Sequence, residues 1–277
     1  MTRCGRRGGG FSLIELLVCI AVIAVLVGIL APSLAAARRA ARETACLANQ
    51  HQLAVAWIAY AGDYRERAMP LAYWTTSDVG GGPPVYWWGS VGSASTNVDY
   101  TRGFIAPYLG ATLAKGSVFE CPSQAWGTYM AQAGGREPTS TYGYNGYYLT
   151  PSRTPGWSSQ IGARAWKRLT DIQRPEELFV FGDAMLPANP VRNCALLDPP
   201  QLWNGEEWVE NPFPTTSFRH GTWKSSTGSA AIARADGSVR SYTARPEWVL
   251  FPSLGIGSVG AENAPHYVPD AASWTSP

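Results

Sequence analysis

Residues 8–32 read GGGFSLIELLVCIAVIAVLVGILAP, and this stretch decides the architecture. From Phe11 to Ala31 it offers about 21 residues with a single charge, enough as a helix to cross roughly 30 Å of hydrocarbon. The charge is Glu15. A carboxylate inside a membrane helix costs on the order of 2.5–3.5 kcal/mol on insertion scales and needs a partner. Read alone, it could instead sit at the helix end and reach the headgroup layer. A short basic leader with Arg3, Arg6 and Arg7 precedes the run and ends at Gly10, while Arg38, Arg39 and Arg42 follow it. The positive charges therefore leave orientation open. A secretory signal peptide is the competing reading, with the small residues Ala31, Ala35 and Ala37 offering cleavage positions.

The rest of the chain has a different character. The 277 residues suffice for one large domain or two modest ones. With 22 basic and 20 acidic side chains the charge is nearly balanced, which predicts no nucleic-acid partner. Charged residues are a low 15%, whereas Gly (29), Pro (21), Trp (12) and Tyr (13) abound. That mixture favours short strands and ordered loops, with enough aromatic surface to bury a core. None of the five cysteines (Cys4, Cys19, Cys46, Cys121, Cys194) forms a linear pattern with zinc spacing, so no structural zinc site is expected. If the region past the apolar run lies outside the cytoplasm, a disulfide between two of Cys46, Cys121 and Cys194 is allowed.

Helical character continues beyond Pro32. SLAAARRAARETACLANQ (33–50) is rich in strong helix formers, and no Gly or Pro intervenes until Gly62. Apolar residues at Cys46/Leu47, Leu53/Ala54, Trp57/Ile58, Tyr60/Ala61 and Tyr64 recur at three and four residues, a stripe for packing on a sheet. The spacing predicts one helix over about 11–61, stopped near Gly62-Asp63. Beyond it, 63–92 reads as a loop and one short strand near YWW (86–88), and GFIAPYLG (103–110) as a short helical turn. TYGYNGYYL (141–149) fits a strand or an aromatic loop, and LFVFGDAM (178–185) a buried strand. SAAIARADGSVRSY (229–242) predicts a hairpin around a type I′ turn at Asp236-Gly237. The expected fold class is α+β: a long N-terminal helix, membrane-spanning in its first half, on a small antiparallel head with long loops.

GFSLIELL, following a basic leader and Gly10, resembles the N-terminal signal of type IV prepilins and type II secretion pseudopilins; Pro32 stands where many pilins carry a kink-forming proline. The resemblance implies cleavage between Gly10 and Phe11 by a prepilin peptidase, followed by methylation of the new Phe11 amino terminus. It also implies that Glu15 pairs with the Phe11 α-amino group of a neighbouring subunit during assembly. Partners implied are the peptidase, other pilin-like subunits, the inner-membrane assembly machinery and membrane lipid. The head would face the periplasm or exterior. The implied domains are the leader (1–10), the transmembrane helix (11–32), its amphipathic continuation (33–62) and the head (63–277).

Further along, CLANQHQLAVAWIAYAGDY, FECPS, YGYNGY, FGDA, FRH and ADGSV resemble a large bacterial family of pilin-like proteins with a C-terminal His…Asp-Gly motif. Its residues here are His220, Asp236 and Gly237. Fifteen residues (221–235) separate His from Asp-Gly, against nine in the usual family spacing. Asp183, His220 and Asp236 are candidates for a small metal site, for which the pseudopilin resemblance allows calcium; otherwise no cofactor is expected. Turn formation, capping and ordinary hydrogen bonding account for the same residues without a metal. A Cys121 nucleophile with His220 as base can be drawn, but a buried thiol or half-cystine is the simpler reading. No hydrolase elbow, zinc-protease or phosphate-loop motif is present, and a non-enzymatic subunit is the expected role. The alternative is a membrane-tethered, non-polymerising protein that binds a glycan or protein through its aromatic head.

Overall fold

The computed structural model describes residues 12–73, 80–91, 98–109, 118–124, 140–153, 161, 164–188, 191–221 and 228–274. The first element is one continuous helix, α1 (Leu13–Asp63). The chain divides into two compact units, Met1–Ala41 and Arg42–Pro277, with the division falling inside this helix. In the first unit the helix exposes apolar side chains on every face, from Leu13 and Ile14 through Val18, Val22, Leu26 and Leu30 to Leu34. It is long and apolar enough to cross a membrane. Pro32 lies within it, where it supplies no N–H to the carbonyl four residues earlier.

In the second unit the end of α1 is a packing element. Cys46, Leu53, Ala54, Trp57, Tyr60 and Ala61 are buried as the spacing predicts, with Leu47 and Ile58 partly buried beside them. Two positions depart from the expected stripe. Tyr64 is exposed just past the last helical residue and stacks on Tyr60 at 4.2 Å. Gln50, a polar residue, is fully buried on the apolar face. The left-handed conformation after the helix falls on Arg65 (φ 57) and Glu66 (φ 65), not on Gly62.

Fifteen short strands follow among the described residues. They are β1 (Ala72–Tyr73), β2 (Val85–Tyr86), β3 (Gly89–Val91), β4 (Val98–Asp99), β5 (Tyr142–Tyr144), β6 (Phe179–Asp183), β7 (Met185–Leu186) and β8 (Arg192–Asn193), then β9 (Gln201–Trp203), β10 (Trp208–Glu210), β11 (Thr216–Ser217), β12 (Ser229–Arg234), β13 (Val239–Thr243), β14 (Val249–Phe251) and β15 (Ile256–Gly257). The first four make an antiparallel sheet, and three of them fall within 63–92, more strand than its turn-rich composition suggests. GFIAPYLG contains the short helix α2 (Ala106–Leu109), and YGY forms β5 before the single-turn helix α3 (Gly146–Leu149).

The central sheet has the order β13-β12-β6-β5, antiparallel throughout, and its inner strands β6 and β12 are buried at every residue. α1 lies against β12, whose alanines allow a close approach. Gln50 uses it: its Nε2 donates to Ala231 O at 2.6 Å, and its Oε1 accepts from Ala233 N at 3.1 Å. A polar side chain in the core is thus satisfied by strand backbone. Trp57 Nε1 donates to Tyr144 Oη at 3.2 Å, whose hydroxyl donates to Met69 O at 2.7 Å.

The β12–β13 hairpin forms where expected, with a different turn. Gly237 N donates to Arg234 O and Arg234 N to Ser238 O, and only Gly237 in the turn has positive φ (+84°). A type I′ turn needs positive φ at both central residues, so this is a type I turn closed by a glycine bulge. Asp236 keeps an ordinary φ and accepts from Ser238 N at 2.9 Å.

Candidate functional site

Four segments distant in sequence converge beside the central sheet. The buried face of α1 supplies Cys46. The turn at 118–124 supplies Cys121, its N–H donating to Thr141 Oγ1 at 2.7 Å. Asp183 ends β6, where its Oδ2 accepts from Ala231 N at 2.7 Å and so extends the ladder beyond the strand backbone. His220 is held to the start of β12 by a reciprocal pair, His220 N to Ser229 O at 3.0 Å and Ser229 N to His220 O at 2.9 Å. One ligand atom from each of Cys46, Cys121, Asp183 and His220 lies within 4.8 Å of all the others, and all four residues are buried.

His220 Nε2 is 2.9 Å from Asp183 Oδ2 and 3.6 Å from Cys121 Sγ, while its Nδ1 is 3.0 Å from Ser123 Oγ. Cys46 Sγ is 3.4 Å from Asp183 Oδ1 and accepts from Tyr142 Oη, also at 3.4 Å. Arg219 supplies a buried positive charge 3.8 Å from Asp183, anchored by bonds from its other nitrogens to Gln124 Oε1, Thr141 O and Ala184 O.

These neighbours set the protonation states. Burial pushes Asp183 up, but the charges of His220 and Arg219 hold it below the usual carboxylate range. Burial pushes His220 down, and the Asp183 charge and hydrogen bond outweigh that, raising it to about 10. Burial also pushes the Cys121 thiol up; hydrogen bonds with Cys46 and His220 and the Arg219 charge bring it to about 6. Cys46 is driven well above an ordinary thiol, first by burial and then by its bond to Cys121. The surroundings thus push the two thiols in opposite directions, Cys121 down and Cys46 up.

Asp236 does not join this group. It sits exposed in the hairpin turn past the far end of β12, roughly 20 Å from His220 by strand rise. Of the candidate grouping Asp183, His220 and Asp236, the first two are neighbours and Asp236 stands apart in its turn, while Cys46 and Cys121 lie beside the pair. Cys46, Cys121 and Cys194 are all free thiols; the first two are neighbours, while Cys194 is buried elsewhere and stands outside the cluster. A hydrolytic relay has the carboxylate and the nucleophile on opposite nitrogens of the imidazole. Here both address Nε2, in the interior. The aromatic residues that suggest a glycan platform are largely core: Trp57, Trp87, Trp88, Trp203 and Trp274 are buried.

At the other end of the chain, Gly10 and Phe11 lie outside the described residues. Glu15 is exposed at the start of α1, and its Oε2 accepts from Ser12 N at 2.9 Å. Ser-x-x-Glu is the capping-box spacing, and this is the arm of the box that reaches back to the cap residue. The sequence carried that signal in Ser12. Residues 5–31 match the family model described as the prokaryotic N-terminal methylation motif. The N-terminus carries a methylation motif, consistent with a type IV prepilin-like protein. From Leu13 to Ala31 the matched residues belong to α1, with Glu15 in the helix's first turn and Pro32 just beyond them. No curated protein and no solved structure matches the chain.

Proposed function

We propose that the chain is a pilin-like structural subunit. A prepilin peptidase cleaves it between Gly10 and Phe11 and methylates Phe11, and the mature protein assembles through its N-terminal helix into a type IV pilus-like or type II secretion pseudopilus-like filament. The observation that carries this reading is the methylation motif at 5–31 running into a helix that exposes apolar side chains all round as far as Leu34. Such a surface has two stable environments, lipid and a bundle of like helices. The second unit then stands on the periplasmic or outer side, anchored by the inner membrane before assembly.

Mass spectrometry of the mature N-terminus tests processing: N-methyl-Phe11 is expected, and an intact leader or cleavage near Ala37 rejects the reading. Assembly is tested by cysteine cross-linking in cells. A parent that yields a ladder of N-terminal-helix adducts supports a filament; one that is processed yet yields only monomer favours the tethered binding protein.

A further inference from the structure

We propose that Cys46, Cys121, Asp183 and His220 hold a structural zinc ion inside the head. The site lies entirely in the second unit and does not depend on filament assembly. Zinc takes four ligands, sulfur at about 2.3 Å and nitrogen or oxygen at about 2.0–2.2 Å, which places neighbouring ligand atoms about 3.3–3.8 Å apart. The Cys121–His220 and Cys46–Asp183 separations of 3.6 and 3.4 Å are edges of that size. That 3.4 Å edge is to Asp183 Oδ1; His220 Nε2 meets the other carboxylate oxygen, Oδ2, at 2.9 Å, a hydrogen bond given up when zinc replaces the Nε2 proton.

The surrounding bonds suit a metal ligand set. His220 presents Nε2 to the cluster while Nδ1 faces Ser123 Oγ at 3.0 Å, the outer hydrogen bond that fixes ring and tautomer in metal-bound histidines. Tyr142 donates to the Cys46 sulfur, and Ala231 N–H and Arg219 steady the carboxylate. Charge closes as well. Two thiolates and one carboxylate balance a divalent cation plus the Arg219 guanidinium, so the buried group is neutral when zinc is bound and the thiol and Nε2 protons have left. Two thiolates select a soft metal over calcium, which wants six to eight oxygens. A disulfide would use the two sulfurs alone and would leave unexplained why a carboxylate and an imidazole converge on the same point. All four positions are filled by buried protein groups, the mark of a structural site. The zinc would tie α1, the 118–124 turn, β6 and the segment entering β12 together.

The full chain, purified in detergent under reducing conditions, is loaded with zinc, desalted and assayed by plasma mass spectrometry. About one zinc per chain is expected, retained by Cys19→Ser and lost from Cys121→Ser and His220→Ala. A zinc-specific chelator should lower the Tm by about 10 °C or more. Should those variants misfold, the unaltered chain decides: cobalt(II) should give the strong visible bands and thiolate charge transfer of a tetrahedral site, displaced by zinc. Three results would each overturn the proposal. They are a folded chain that retains no metal, a thermal response to calcium but not zinc, and a Cys46–Cys121 disulfide in chain isolated without reductant whose melting zinc leaves unchanged.

Discussion

Gln50 stands where the helix spacing asks for a hydrophobe, four residues after Cys46 and three before Leu53. Its amide completes the hydrogen bonding of β12, so Gln50→Leu should cost about 2–4 kcal/mol by leaving Ala231 O and Ala233 N unpaired, read by urea denaturation of the full chain in detergent. Nothing in the sequence marks this role, because it exists only once β12 lies beneath α1. Asp198 is a second residue with a hidden role. Its Oδ1 has no hydrogen-bond partner among the described residues, and burial raises the carboxyl to about 7. The unfolded carboxyl ionises near its ordinary value of about 3.9, so between there and 7 the folded chain holds more protons than the unfolded one. Stability therefore falls as pH rises through that window. Asp198→Asn should melt above the parent at pH 8, by a margin on the order of a few kcal/mol that closes towards pH 4.

At the scale of elements, long-period signals were readable and close approaches were not. The apolar run and the three-and-four spacing located α1, and alternation around Asp236-Gly237 located β12 and β13. The turn type escaped, since Asp-Gly serves both a type I′ turn and a glycine bulge. Strand β5 was ambiguous for a physical reason: Gly143 has another segment of backbone packed against it. A Cβ there would stand 2.3 Å from Leu196 O, whereas one at Gly62 meets nothing within 4 Å. Gly143→Ala should therefore destabilise by more than about 2 kcal/mol, and Gly62→Ala should be neutral or stabilising by up to about 1 kcal/mol in the same melts. Gly237→Ala forces an L side chain to φ +84° and should cost about 1–2 kcal/mol.

For the whole molecule, the N-terminal motif spoke plainly because one short, contiguous signal carries it. The head cluster did not, because its residues stand at 46, 121, 183 and 220 and meet only through the β6–β12 register and the placement of α1. Each is visible separately in the sequence, Cys46 in the stripe and His220 in a short motif, yet linear spacing cannot show convergence. The assembly role proposed for Glu15 is testable at this scale. Glu15→Leu removes the Ser12 bond and the membrane charge together, so it should insert as well as the parent while losing subunit cross-links by at least about tenfold, a factor worth about 1.4 kcal/mol.

The reciprocal bonds between His220 and Ser229 have a practical corollary for protein engineering. They staple the two ends of the 221–228 segment to one another, so the separation of those ends is set by the staple and not by the number of residues between them. Lengthening a closed loop costs only about 0.6 kcal/mol per doubling. The staple therefore predicts that a change of chain length between Gly221 and Gly228 leaves His220 in register with Ser229.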